Sequence, residues 1–541
     1  MRKDYFMKKT LFSLWMACLF MTACTSNSNS SMTSEKMNRS DSSSMKSDYV
    51  HESRVSKTKE SQESNLPAST DLNSSNFNSE SSSKKNEESK ETTIPYETYL
   101  DFELQEDDTY GVRMKKGASA PQHVIIPATH EGKTVTTVLR NAFYKQEKLI
   151  RVDLPNTIRS LEYGAFSATS LKEIVLPETL VKIDSYCFSG CLSLTSVTFP
   201  SSLKEIDSSA FAHCIKMVSI SLPEGLEKIE GSAFDSCGLT EVILPSTVKE
   251  IGESAFWSCE NLTKIDFPDS LLVVGRRCFY NTKVPMKEVD GLRYYGTEDN
   301  PYLILSECID IKKQTTAVIH EKAKIIAEHA FDSLSKTSTD RSQGIYTVET
   351  SAKIRSIGAY AFHYCNNLRS IPLTDSLKYI GERCFESCVK LTEINLTDSI
   401  EFIDVVAFGG AAITSIYWPK SLSKIPFATF STCRKLTSFP IPETVTEIGI
   451  AAFETCESLT SIEIPNSVNR IDSYAFQNTL KGSVFIPANV QTMELWAFRD
   501  NKNLTDIYCE AKSKPDGWDE RWNGNDESVN VHWGAKKSDI R

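Results

Sequence analysis

A hydrophobic phrase recurs about every 23 residues along most of the chain. One unit runs Leu194-Thr-Ser-Val197-Thr-Phe199-Pro200-Ser-Ser-Leu203-Lys-Glu-Ile206-Asp-Ser-Ser-Ala210-Phe211. Ser-Val-Thr-Phe alternates polar and apolar, which predicts a short strand with one buried face. Pro200 has no N–H to donate and should end the pairing of that strand. Leu203 and Ile206 point back inward from a second short extended stretch. Ala210-Phe211 then turns the coil, the small Ala allowing close approach and the ring filling the centre. A unit this short cannot bury its apolar edges alone, so successive units must stack. The pattern therefore predicts a mainly β solenoid, with short parallel strands along one side, Pro-terminated turns and irregular or short helical turns around each Phe.

The units align between residues 124 and 509, their phenylalanines running from Phe143 to Phe279, then Phe331, then from Phe362 to Phe498. The repeated form, Leu-x-x-Ile-x-Leu-Pro-x-x-Leu-x-x-Ile-x-x-x-Ala-Phe-x-x-Cys, resembles the BspA-type leucine-rich repeat of bacterial surface proteins. The resemblance implies a curved array, surface exposure, and adhesion or binding of host components. Two places break the period. Residues 284–310 carry two β-rich runs around a Gly/Asp/Asn/Pro turn, which predicts a hairpin protruding from the solenoid. Ser335 to Gly344 reads as an enlarged polar loop. Bare solenoid ends would expose apolar surface, so caps are expected. Residues 94–123 suit an N-terminal β cap, and residues 510–541, with Trp518, Trp522 and Trp533, a C-terminal one.

The first 93 residues are of another kind. Residues 1–23 have a basic start and an apolar run of about a dozen residues, too short to span a bilayer, and read as an export signal. Met21-Thr22-Ala23-Cys24 resembles a bacterial lipobox, which implies cleavage before Cys24 and a lipid on its sulfur. Residues 24–93 are dominated by Ser, Asn, Lys and Glu with few aliphatics, so a disordered tether holding the repeats off a membrane is expected.

Composition removes several function classes. The formal net charge is −11 and no basic stripe stands out beyond the leader, which argues against a nucleic-acid partner. Of the 15 cysteines, most fall in repeat phase. Cys191, Cys214, Cys237, Cys259, Cys365, Cys388, Cys433 and Cys456 lie three residues after a repeat Phe, and Cys187, Cys278 and Cys384 replace the Ala before one. They read as columns of small buried thiols, reduced because aligned rungs lack the aim a disulfide needs. Cys187-Phe-Ser-Gly-Cys191 is not the Cys-x-x-Cys of metal or redox sites, and the eight histidines are scattered along the chain. No motif joins nucleophile, base and orienting group. We expect no enzyme activity, cofactor or metal.

What remains is surface. Outward positions of the predicted strands include Asp266, Glu393, Asn395, Tyr417 and Tyr508. Tyr is favoured at interfaces, so these residues are the candidate partner-binding patch. Trp418 replaces the usual strand aliphatic and is assigned to the core. The reading is a lipid-anchored, extracytoplasmic protein whose solenoid face binds a macromolecular partner, as an adhesin for host or neighbouring-cell proteins, or alternatively a structural or glycan-binding protein of the cell envelope.

Overall fold

Each coil contributes one Phe ring to a column at the centre of the array. The computed structural model describes residues 95–309, 315–332, 344–524 and 528–540. The expected export signal, Cys24 and the expected tether lie outside the described residues, as does the expected enlarged loop apart from Gly344. The rings from Phe143 to Phe279, and again from Phe331 to Phe498, stack with centroids 4.8 to 6.0 Å apart and planes within 26°.

The turn around each Phe is not helix. Residues two before and two after the ring take positive φ, as at Ser209 (56°) and His213 (62°). A non-Gly residue there costs about 1 kcal/mol or more. What holds it is the hydrogen bonding. The amides of Ser209, Phe211 and His213 donate to Gly231, Ala233 and Asp235 of the next coil at 2.9, 2.8 and 2.7 Å. The intervening Ala210, Ala212 and Cys214 donate back to Asp207, Ser209 and Phe211 within the coil. Helical turns are confined, among the described residues, to 3-10 turns at Tyr96–Thr98 and Lys537–Asp539.

The thirteen described cysteines are buried free thiols. Those after the Phe do more than fill space. The thiol of Cys214 donates to the carbonyl of Phe188 one coil back at 3.3 Å, Cys388 to Phe362 at 3.2 Å and Cys456 to Phe430 at 3.0 Å. In coils lacking this Cys, Thr479 donates to the Phe453 carbonyl and Asn501 to the Phe476 carbonyl. The column is therefore a row of donors for buried carbonyls, which would otherwise be unsatisfied at a cost of about 1–3 kcal/mol each.

Two ladders of parallel strands flank the rings. Most of the predicted x-Val-x strands form short pairs, such as Glu173–Val175 with Ser196–Thr198 and Glu241–Ile243 with Lys264–Asp266. Only Lys481–Ile486, Asn503–Cys509 and Asn530–Trp533 make a longer three-stranded run among the described residues. The second extended stretch is the more continuous ladder. In it, two-residue strands such as Glu205–Ile206 and Lys228–Ile229 bond coil to coil. This ladder is interrupted after Ser160–Leu161, at the insertion and after Phe402–Ile403.

The insertion corrects one expectation. The hairpin forms, with Leu292–Tyr295 antiparallel to Ile304–Cys308 and Met286–Val289 added on the outside. It does not protrude. Ile304–Cys308 pairs in parallel with Ile325–Ile326 of the next coil and so enters the ladder. Its residues face opposite ways: Tyr295 and Ile304 join the core of the preceding coils, Tyr294 and Leu305 that of the following ones. The hairpin is a partition between two hydrophobic cores. Phe279 accordingly meets Tyr295, at 5.7 Å, where the next repeat Phe would have been.

At the N-terminus Leu100–Leu104 and Tyr110–Met114 make an antiparallel hairpin that joins the first coil through Lys133–Val138. At the other end Trp518 and Trp522 are buried, and the Trp518 indole donates to the Val490 carbonyl at 2.9 Å. Trp533 is partly exposed. Trp418 is buried against Phe430, in the core as expected.

Candidate interaction surface

Of the five sequence-selected residues, Asp266 lies in the strand Lys264–Asp266 and Tyr508 in Asn503–Cys509. Glu393, Asn395 and Tyr417 lie in extended stretches outside any strand, and the array does not gather the five. Glu393 and Asn395 are exposed, and Tyr417 lies one coil on, since the amide of Thr414 bonds to the Thr392 carbonyl at 3.2 Å. These three are neighbours. Asp266 lies on the other side of the insertion, 3.8 Å from Lys264 and beside the exposed Ile243. Tyr508 is further along, with the coils of Ser438, Ser461 and Ser483 between it and Tyr417.

The Tyr417 hydroxyl donates to Asp398 at 2.8 Å, which raises the phenol's pKa. The Lys420 amide and that hydroxyl together hold the Asp398 carboxyl below its ordinary range. The ring is thereby fixed while its faces stay open to solvent. Tyr508 is built differently. It lies in register with Phe485 and stacks on His532 at 4.6 Å and 14°. The His532 ring is held 2.7 Å from Asp506, whose carboxyl its hydrogen bond lowers.

The histidines, scattered in sequence, partly converge beside the insertion. His329 Nδ1 lies 2.8 Å from Asp332, and His363 lies 3.5 Å from Asp332 and 3.1 Å from Glu386. Among the described residues no group of His, Cys, Asp and Glu is arranged to hold a metal ion.

Sequence reasoning missed an opening that lies on the continuous ladder. Within its unbroken runs the residue after each aliphatic donates its amide one coil back, as Asp404 does to Ile380 at 2.9 Å and Gly449 to Ile425 at 2.8 Å. Pro426 occupies that position and has no N–H. No hydrogen bond joins Phe402–Ile403 to Lys424–Ile425, although Val406 still bonds to Phe427 behind them at 2.9 Å. The coils part on one side and leave a cavity of about 460 Å³. Phe402, Val405, Leu422 and Phe427 line it, with the carboxylates of Glu401, Asp404, Glu447 and Asp472. The signal was in the sequence: Lys-Ile-Pro426 where the other coils have Asp, Glu, Gly, Ala or, in the first coil, Leu139 after the aliphatic.

The repeat profile of the "BspA type leucine rich repeat region" matches residues 125–237, 181–293, 303–436 and 423–515, well over half of the chain. The chain belongs to the BspA-type leucine-rich repeat family. Solved structures similar to this BspA-type chain include a leucine-rich repeat protein from Bacteroides ovatus, 21% identical, covering 80% of this chain and 98% of that one, with a TM-score of 0.32. A leucine rich cell surface protein from Faecalibacterium prausnitzii is 19% identical, covering 81% and 94%, with a TM-score of 0.28. The pneumococcal vaccine antigen PcpA is 17% identical, covering 81% and 97%, with a TM-score of 0.26. The comparison with curated proteins gave no match.

Proposed function

We propose that this BspA-type protein is a lipid-anchored bacterial surface protein whose solenoid binds a macromolecular partner, as an adhesin for host or neighbouring-cell proteins. The observation that carries the reading is the Glu393, Asn395 and Tyr417 group, exposed side chains on neighbouring coils around a ring held by Asp398. A fixed aromatic among carboxylates and amides suits a protein partner, because little side-chain entropy is lost on binding. Export and anchoring rest on the leader and on Cys24. A Cys24→Ala variant should leave the membrane fraction and appear as soluble, unlipidated protein; retention in the membrane would end the anchoring argument.

The partner surface is tested by pull-downs from host extracts and, in parallel, from purified cell-wall material. A folded Tyr417→Ala/Tyr508→Ala variant should lose most of the capture seen with the native protein, and unchanged capture rejects these two residues. The second reading, a glycan-binding envelope protein, draws on the Tyr508–His532 stack at the end of the array. Ring faces of this kind can stack on sugars, and capture from wall material alone would favour it.

A further inference from the structure

We propose that the open rung at Pro426 is a binding site for an extended polypeptide segment carrying lysine or arginine, distinct from the outer-face patch. Three observations converge on this occupant.

The first is main-chain chemistry. Where the ladder is unbroken, two carbonyls of each coil accept from the next; Lys204 and Ile206, for example, accept from Glu227 and Glu230 at 2.9 and 2.8 Å. At the open rung the corresponding carbonyls of Glu401 and Ile403, and the facing amides of Ser423 and Lys424, make none of these bonds. Free strand-edge groups are met by another extended backbone, which supplies N–H and C=O at the same spacing. A sugar supplies hydroxyls without that spacing.

The second is shape. The cavity of about 460 Å³ falls within the range of true ligand pockets. Phe402 is 50% exposed at its mouth and stacks on Tyr379 at 5.6 Å, an apolar shelf for aliphatic side chains or side-chain stems.

The third is charge. Of the four carboxylates lining the cavity, Glu401 is paired with Lys378 at 2.7 Å, Glu447 with Lys424 at 2.6 Å and Asp472 with Arg470 at 2.7 Å. Asp404 has no ion pair among the described residues, and burial raises its pKa. Its carboxyl accepts from the Val405 amide at 2.7 Å and from the Tyr379 hydroxyl, and an incoming ammonium or guanidinium would add the opposite charge. A long cationic side chain fits the pocket at both ends, its methylenes against Phe402 and its charge at Asp404.

The test uses the full chain and fluorescence anisotropy with a labelled peptide of alternating valine and lysine. The control peptide has glutamate in place of lysine, and a cell-wall oligosaccharide serves as a third probe. Saturable binding of the lysine peptide is expected, with the glutamate peptide weaker by roughly tenfold or more. Asp404→Asn should weaken the lysine peptide by a similar factor. Pro426→Gly, which places there the residue found at Gly252 and Gly449, should restore the rung and abolish binding without lowering the melting temperature. Equal affinity for the two peptides, binding of neither, or native affinity in Pro426→Gly overturns the proposal, as does binding of the oligosaccharide instead. Should Pro426→Gly not fold, Phe402→Ala alters an exposed side chain only, and native affinity in that variant is equally decisive.

Discussion

Phe385→Ala should destabilise the protein by about 3–5 kcal/mol, the usual range for deleting a buried ring. Phe385 is fully buried and stacks on Phe362 at 5.4 Å and Phe408 at 5.7 Å, so its loss leaves a void with a flat wall on either side. Neither wall can close it, because the turn backbones are tied coil to coil by amide bonds such as that from Phe385 to Ala407 at 2.8 Å. In a stacked array the loss falls chiefly on nearest neighbours. Hydrogen exchange should therefore show lost protection in the coils of Phe362 and Phe408. Coils before the hairpin partition belong to a separate core and should keep theirs. Phe402→Ala, removing a half-exposed ring, should cost less than about 1–2 kcal/mol. Uniform loss of protection along the whole chain would contradict the two-core description.

The ring column was legible because repetition multiplies a weak local signal: a single Ala-Phe pair says little, and the same pair in register along the array specifies the stack. The two ladders were ranked the wrong way round. The Val-x-Phe stretches carry the alternation that marks a strand, yet the two-residue Glu-Ile and Lys-Ile stretches pair more continuously. Alternation reports burial on one face, not the hydrogen bonding between coils. The hairpin was found by its turn residues, but its place inside the ladder was not. Tyr294 and Tyr295, or Ile304 and Leu305, read as consecutive apolar residues until two cores are there to receive them. The outer-face residues share the outward phase, but only Asp266 and Tyr508 lie in strands, and the array does not bring all five into one patch. Distance along a solenoid is set by the number of coils between residues, and neither shared phase nor shared chemistry shortens it. Pro426 needed only comparison of one repeat position across coils, because the missing N–H is a property of the residue itself.

Raising the pH from 5 to 8.5 should weaken the fold, and the loss should centre on the partition. Glu328 sits there, its amide bonded to the Val274 carbonyl across the insertion at 3.0 Å. Burial is the main force pushing its carboxyl up to about 7. The charge of His329 opposes the rise, and those of Glu250 and Glu253 add to it. Between an ordinary carboxyl value near 4.5 and 7, the folded chain holds a proton that the unfolded chain has released, so stability falls as pH rises through that window. The loss from this one group is about 2–3 kcal/mol. His363 acts next and in the same direction. Burial lowers its pKa, but hydrogen bonds to Asp332 and Glu386 outweigh burial and leave it raised. Its contribution is complete below the unfolded value of 6.5 and disappears as pH rises through the folded one. On the acid side Glu386, lowered by His363 and Arg383 against its burial, loses its contribution as pH falls below 4.5. Maximum stability should thus lie in mild acid, near pH 4.5 where these windows meet. Urea melts at half-unit steps of pH would trace it. Glu328→Gln keeps the shape and removes the titration, so it should flatten the slope between pH 4.5 and 7 and raise stability at pH 8 by about 2 kcal/mol. A variant that retains the native slope would mean that the proton lost in this window comes from another group.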